Sequence, residues 1–338
     1  MTGSPRRRLV FAGEAIVDVV MRVPALPERG GDILASSSQV TVGGGFNVMS
    51  AAARQGLPVL YAGGHGTGPW GDLVRAALDA EGVEILRPPD PARDTGFDVA
   101  LVEPDSERTF VTHLGAEALA DPRSWQAVPA GPRDAVYISG YGLVPPESGP
   151  VLGTWAAALP PGPLLFMDPG PLVAEIPAEV LGPVLARCDW VSCNQREAAL
   201  LTGTSDLAAA ARRLLARSPR ASVIIRSGPA GCLLALRPPP VPPVDANNPA
   251  NPTDHSDATS ALPPTPTLVR IPAPAVTAVD STGAGDTHAG VFLAALADGL
   301  DPPAAARRAN AAAAMSVTRA GPATSPTRAT LDAWLALR

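Results

Sequence analysis

Asp280-Ser281-Thr282-Gly283-Ala284-Gly285-Asp286 is the stretch on which the reading of this chain turns. The β-branched run Ala275-Val276-Thr277-Ala278-Val279 precedes it, and Thr287 to Leu296 follows with the pattern of a buried helix. Strand, small-residue turn, helix is the layout of an anion site. Gly283 and Gly285 let backbone approach a ligand with no Cβ in the way. The free N–H groups and dipole of the helix start then favour negative charge. Asp286 adds a carboxylate at the mouth of that site, which points to chemistry beyond binding. The plain alternative is an ordinary N-cap Asp after a glycine turn, and a lone GxGD would be read that way.

Working outward, 338 residues with 46% hydrophobic content allow one large α/β domain or two smaller ones. A formal charge of −6 without a basic stripe argues against a nucleic-acid binder. No apolar run is long enough to span a bilayer, and no apolar leader precedes a cleavage site. Three Cys do not make a disulfide framework. Together these point to a cytoplasmic protein with reduced thiols.

Leu9 to Ala12 reads as a buried first strand ending at Gly13. Asp18 interrupts the next apolar run; it is either an outward-facing strand residue or an acceptor for a ligand hydroxyl. Gly43-Gly44-Gly45-Phe46-Asn47 then opens a helix that closes at Gly56. Three glycines and an amide suit close approach to a polyol, since an amide both donates and accepts; a hinge with Asn as helix starter is the equal alternative. Strands near 59–62, 135–139, 164–168, 190–193 and 223–226, alternating with helices, imply a parallel sheet. A hairpin, 95–102 and 108–113, interrupts that rhythm and pairs naturally with strands at 16–22 and 33–42 as a small separate sheet. Asp168, Asn194 and Arg226 fall at strand C-terminal ends, the ligand-binding edge of such sheets. Asn194 and Glu197 carry capping-box spacing. Arg226 to Gly231 is a tight turn, most simply a hairpin loop, whose Gly228 and Gly231 backbone could also line a nucleotide site. Pro238 to Thr267 holds ten prolines and few large apolar residues, so a mobile loop is expected there.

With these pieces located, the chain resembles the PfkB, or ribokinase-like, carbohydrate kinases over nearly its whole length. Gly43 to Asn47 is similar to that family's N-terminal glycine signature, Asp280 to Asp286 to its DxTGAGD signature, and Asn194-Gln195-Arg196-Glu197 to its NxxE motif. The resemblance implies a single α/β domain over 1–338: a mostly parallel central sheet flanked by helices, and a β-sheet lid from about 16–42 and 95–113. It implies transfer of the γ-phosphoryl of ATP to a sugar hydroxyl with Mg²⁺. Asp286 would be the base and Gly283, Ala284 and Gly285 the anion hole. Asp18, Gly44, Gly45 and Asn47 would hold the acceptor. Asn194, Glu197, Arg226, Gly228, Gly231, Thr282 and Asn310 would serve the nucleotide, with Glu197 reaching Mg²⁺ through water. Asp280, Thr282, Ser316, Arg319, Gly321 and Ser325 align with a K⁺ site. The helix dipole would keep Asp286 ionised and weakly basic. A homodimer through the lid is left open.

Departures bear on the acceptor. Phe46 stands where related signatures differ and would narrow the pocket or stack on a ring. Asp168-Pro169-Gly170-Pro171-Leu172 lacks the Arg that several fructokinase and ketodeoxygluconate kinase members of the family carry, which argues against an acidic sugar or sugar phosphate held there. A kinase of a neutral monosaccharide, a nucleoside or pseudouridine kinase, and a catalytically silent sugar-binding protein all remain, the last disfavoured by the intact Asp286. A dinucleotide oxidoreductase fails because no GxGxxG opens the first helix.

Overall fold

The computed structural model describes residues 7–105, 107–237 and 266–337. The mobile loop expected over 238–267 thus lies outside the described residues as far as 265. Thirteen strands are present among those described: β1 Leu9–Ala12, β2 Ala15–Arg22, β3 Ser37–Gly44, β4 Val59–Tyr61, β5 Glu84–Ile85, β6 Phe97–Val102, β7 Arg108–His113, β8 Ala135–Ser139, β9 Leu164–Asp168, β10 Trp190–Asn194, β11 Ser222–Arg226, β12 Cys232–Leu236 and β13 Thr267–Ile271. They form a nine-stranded sheet in the order β13-β12-β11-β10-β9-β8-β1-β4-β5 and a separate four-stranded sheet, β3-β2-β6-β7.

The large sheet is parallel from β5 through β11 and antiparallel only where β12 and β13 close one edge. Apart from the short edge strand β5, its parallel strands are short, mainly apolar runs buried on both faces, as covering helices require. Two core clusters result. One joins Phe11, Tyr61, Tyr137 and Phe166 to the helices Phe46–Arg54, Ala284–Ala297 and Pro302–Ser316. The other joins Val10, Ile138, Leu165 and Val191 to the helices of the opposite layer. Small residues let the first layer pack closely: a Cβ on Gly290 would lie 2.5 Å from the Val48 carbonyl oxygen.

The four-stranded sheet is made of two excursions from the main sheet. β2 and β3 leave after β1, and β6 and β7 after β5; β2 and β6 meet in parallel, with Asp18 opposite Asp98. This is the small sheet expected from the interrupted rhythm, with its third strand running 37–44 rather than 33–42.

One expectation about the opening stretch is corrected. Residues 275–279 are not a strand; they run irregularly, with Val279 exposed. The edge strand is β13, eight residues earlier in the sequence by its start. β-branched content alone misplaced it, because residues 275–279 pair with the helix end through Val279 N–H to Val317 O rather than with a strand.

Strand order explains where a site must form. From β1 the chain goes first to β4 and β5 on one side and later to β8 and its successors on the other. The order reverses between β1 and β8, and beyond the carboxyl ends of these strands the connections diverge and leave a crevice.

Candidate active site

A cavity of about 240 Å³ opens at that reversal. Glu14 and Ser139 line it from the ends of β1 and β8, Asp168, Asn194 and Arg226 from the ends of β9, β10 and β11. Gly44 and Gly45 close it from the start of the helix Phe46–Arg54, and Gly283, Gly285 and Asp286 from the start of the helix Ala284–Ala297.

The glycines have separate tasks. Gly283 sits at φ 70°, a conformation glycine adopts freely, and there the chain turns into the helix. Gly45 admits no side chain: a Cβ would lie 2.0 Å from the Phe11 ring. Gly43 leaves room for Asp18, whose carboxylate would be 2.1 Å from an added Cβ. At the helix start, Thr287 N–H donates to Gly283 O and Ala284 N–H to Ser281 O. The N–H groups of Gly283, Gly285 and Asp286 have no acceptor among the described residues. Ala284, expected to share in the anion hole, is therefore already engaged in the turn.

Asp286 is held by Asn47, whose Nδ2 donates to Oδ2 at 3.1 Å across 239 residues of sequence. Burial, followed by the nearby Asp168 charge, raises its pKa to about 6; the Asn47 hydrogen bond and Arg226 only moderate the rise. This corrects the expectation of a weakly basic carboxylate: desolvation outweighs the helix dipole. Asp18 rises to about 7 through burial, Asp98 and Asp286. It stands behind Gly43 and does not line the cavity.

At the other end, Asn194 and Glu197 form a complete capping box: Asn194 N–H donates to Glu197 Oε2 and Glu197 N–H to Asn194 Oδ1, at 2.7 and 2.8 Å. Both also line the cavity. Burial and Asp168 raise the Glu197 pKa, while Arg226 opposes the rise. No group of three or more His, Cys, Asp or Glu among the described residues could hold a metal by itself. Gly228 at φ 54° and Gly231 at φ 88° shape the turn between β11 and β12.

Two side chains lie away from the cavity. Phe46 is buried in the core and does not line it, against the expectation that it narrows the pocket or stacks on a ring. Asn310 is also buried, and its Nδ2 donates to Ile271 O at 3.0 Å, tying its helix to the end of β13. Glu14, Ser139 and Tyr141 line the cavity without having been singled out. Glu14 was legible as a charge between two buried strands. Its Oε1 accepts from Ser139 Oγ at 2.9 Å, and burial raises its pKa to about 7.

The six residues aligned with a K⁺ site gather where 279–282 meets 316–325. Gly321 N–H donates to Asp280 Oδ2 at 3.0 Å, and Ser316 O accepts from Arg319 N–H and Thr324 Oγ1. Ser325 Oγ is buried with no partner among the described residues. Asp280 is also paired with Arg108 of β7 at 2.5 Å and accepts from Thr282 N–H and Oγ1. Although burial opposes it, these hydrogen bonds and the Arg108 charge hold its carboxyl at about 2. The Arg108–Asp280 pair ties the small sheet to the 280–286 turn.

The family model described as pfkB family carbohydrate kinase matches residues 6–253 and 265–329. The "Uncharacterized sugar kinase YegV" of Escherichia coli K12 is 33% identical over 329 residues, covering 96% of this chain and 92% of its own. Among solved structures, ribokinase from Giardia lamblia superposes with a TM-score of 0.77 at 20% identity, over 98% of this chain and 99% of that one. Ribokinase from Arabidopsis thaliana, complexed with ribose and ATP, gives 0.72 at 21% identity, over 98% and 99%. The chain belongs to the pfkB family of carbohydrate kinases and is a phosphotransferase that acts on a sugar hydroxyl.

Proposed function

We propose that this protein transfers the γ-phosphoryl of ATP to a hydroxyl of a neutral monosaccharide, with Asp286 as the base. The observation that carries the reading is the junction at residues 283–286. There a buried carboxylate of raised pKa, fixed by Asn47, adjoins unpaired N–H groups at a helix start. The unpaired N–H groups would hold phosphoryl oxygens as charge redistributes, and Asp286 would orient the acceptor hydroxyl and take its proton. Gly44, Gly45 and Asn47 would form the acceptor side, with Asp18 behind them and the small sheet as lid. Asn194, Glu197, Arg226, Gly228, Gly231 and Thr282 would serve the nucleotide side. Mg²⁺ would neutralise phosphate charge, reached from Glu197 through water.

A neutral acceptor is supported by the cavity's charges: Glu14 and Asp286 line it near the glycine run, and among the described residues its lining includes a single cationic side chain, Arg226, which is paired with Asp168. With Phe46 in the core, stacking of that ring on a base no longer favours the nucleoside alternative. An ADP-release screen over neutral hexoses and pentoses, sugar acids and nucleosides tests the proposal. Turnover confined to neutral sugars is expected; turnover with none of the panel would overturn it.

The lid role carries its own prediction. Arg108→Ala should raise the acceptor KM about 3- to 10-fold, as loss of roughly 1 kcal/mol implies, with ATP affinity unchanged. An unchanged acceptor KM would count against a lid that closes on the 280–286 turn. A monovalent cation held by Ser325 and its neighbours would support the same turn from below. Arg108 already supplies positive charge to Asp280, so exchange of K⁺ for Na⁺ should lower the rate in part without abolishing it.

A further inference from the structure

Arg226 was read from sequence as the residue at a strand's C-terminal end that opens a tight turn, and it has more to do than neutralise its neighbours. Its guanidinium is nearly buried at the end of β11 and lines the cavity. Nη1 donates to Asp168 Oδ2 at 2.6 Å and to Ser192 Oγ at 2.7 Å, which fixes the plane of the group. Nη2 lies 3.5 Å from Glu197 Oε2, an ion pair too long for a strong hydrogen bond. Nε has no acceptor among the described residues. A guanidinium carries five N–H donors. The two on Nη1 are taken, and the Nε–Nη2 edge keeps the rest.

Cζ, Nε and Nη2 all lie 3.4 Å from where a Cβ on Gly285 would stand, so Gly285 packs on the flat face of the guanidinium and leaves its in-plane N–H edge clear. Gly285 N–H has no acceptor among the described residues, and Gly285 and Arg226 line the same cavity. Burial works against the charge, but Asp168 and Glu197 outweigh it and keep Arg226 protonated. A purely structural counter-ion would be expected to spend its donors on its carboxylates. Among the described residues, Arg226 instead anchors through Nη1, keeps only the long Glu197 pair on Nη2, and leaves Nε free on a planar edge of a group that lines the cavity, a fork of the kind that recognises phosphate oxygens.

We propose that Arg226 is a catalytic residue for the phosphoryl transfer proposed above, its Nε–Nη2 edge donating to oxygens of the transferring phosphoryl group beside Gly285. The inference rests on the kinase reading and names which protein cation meets the charge that develops during transfer. The bond from phosphorus to the bridging oxygen of the nucleotide breaks as the acceptor oxygen bonds to phosphorus. The acceptor proton passes to Asp286, and Arg226 neither gains nor loses a proton. Asp168 and Ser192 position Arg226 without touching the reacting atoms.

The test separates catalysis from charge balance. Arg226→Met should lower kcat by about 10²–10³-fold with the acceptor KM within threefold, and Arg226→Lys should recover part of the loss. Arg226→Met leaves Asp168 buried and unpaired and is expected to be unstable; Asp168→Asn with Arg226→Met removes that burden and should restore the melting temperature without restoring kcat. A kcat for the double variant within threefold of wild type would overturn the proposal. The same contact can be read without turnover. Affinity for MgADP with aluminium fluoride, a mimic of the transferring group, should fall at least about 100-fold in the double variant, with MgADP affinity nearly unchanged. Equal losses for both ligands would reduce Arg226 to a ground-state nucleotide contact. If no acceptor is turned over by wild type, the kinase reading fails, while this binding contrast still decides the role of Arg226.

Discussion

Asp286→Asn should lower kcat about 10²–10⁴-fold while leaving ATP and acceptor affinities within a few-fold of wild type. Asparagine keeps the size of the side chain and can still meet Asn47, but it cannot accept the acceptor proton. The same substitution should stabilise the fold at pH 8. With a folded pKa of about 6 against an ordinary 3.8, Asp286 binds a proton in the native state at pH values where the unfolded chain has released it. Stability from this group is therefore fully present below about pH 4 and is lost as pH rises through 6. Two pH units correspond to roughly 3 kcal/mol at most, so a rise of a few degrees in Tm is expected for the variant above pH 7. Glu14, Asp18 and Asp98 are raised in the same sense, mainly by burial, so wild type should melt at a higher temperature near pH 5 than near pH 8. Turnover should move the opposite way, rising as Asp286 ionises near pH 6. A variant with normal kcat, or a wild-type rate that falls from pH 5 to 7, would remove Asp286 from the role of base.

Gly45→Ala should be among the most destabilising single-methyl additions in the chain. Its Cβ would lie 2.0 and 2.2 Å from Phe11 ring atoms and 2.6 Å from the Glu14 carbonyl oxygen, which accepts from Gly45 N–H at 2.9 Å. Phe11 cannot give way easily, because it is fully buried and stacks on Tyr137 at 5.1 Å between ring centres. Either the ring shifts or the start of the helix Phe46–Arg54 lifts, and lifting it withdraws Asn47 from Asp286. A loss of about 3 kcal/mol or more is expected, above the usual range for overpacking because backbone is one of the clashing partners. Acceptor affinity should be reduced in whatever folds. Gly228→Ala provides the contrast: it has positive φ but nothing within 4 Å, and should cost about 1 kcal/mol. Denaturant unfolding of the two variants side by side checks the ranking, and equal losses would show that crowding at Gly45 is relieved elsewhere.

Much of the architecture was legible because parallel strands leave plain marks. Short apolar runs ending in Asp168, Asn194 and Arg226 announce the carboxyl edge of a sheet, and all three residues do meet at the cavity. The separate small sheet was legible as a break in rhythm. Misplacement of the edge strand shows the limit of residue type: Val276 and Val279 favour strands in general but have no partner strand among the described residues. Phe46 and Asn310 show a second limit. A large ring and an amide next to functional motifs read as ligand contacts, yet burial and a bond to Ile271 O send both inward. The contacts that organise the site link residues far apart in sequence: Asn47 with Asp286, Arg108 with Asp280, Arg226 with Asp168. No local pattern encodes such pairs; they follow only once the sheet order brings the strand ends together.

Asp286 at the helix start is the centre of this account, and single-turnover transfer of γ-labelled phosphoryl from ATP to neutral monosaccharides tests it most directly, with wild type beside folded Asp286→Asn at pH 8. The account predicts labelled sugar phosphate from wild type and a transfer rate at least about 10²-fold lower in the variant, with ATP still bound. Equal transfer rates in the two proteins would contradict it.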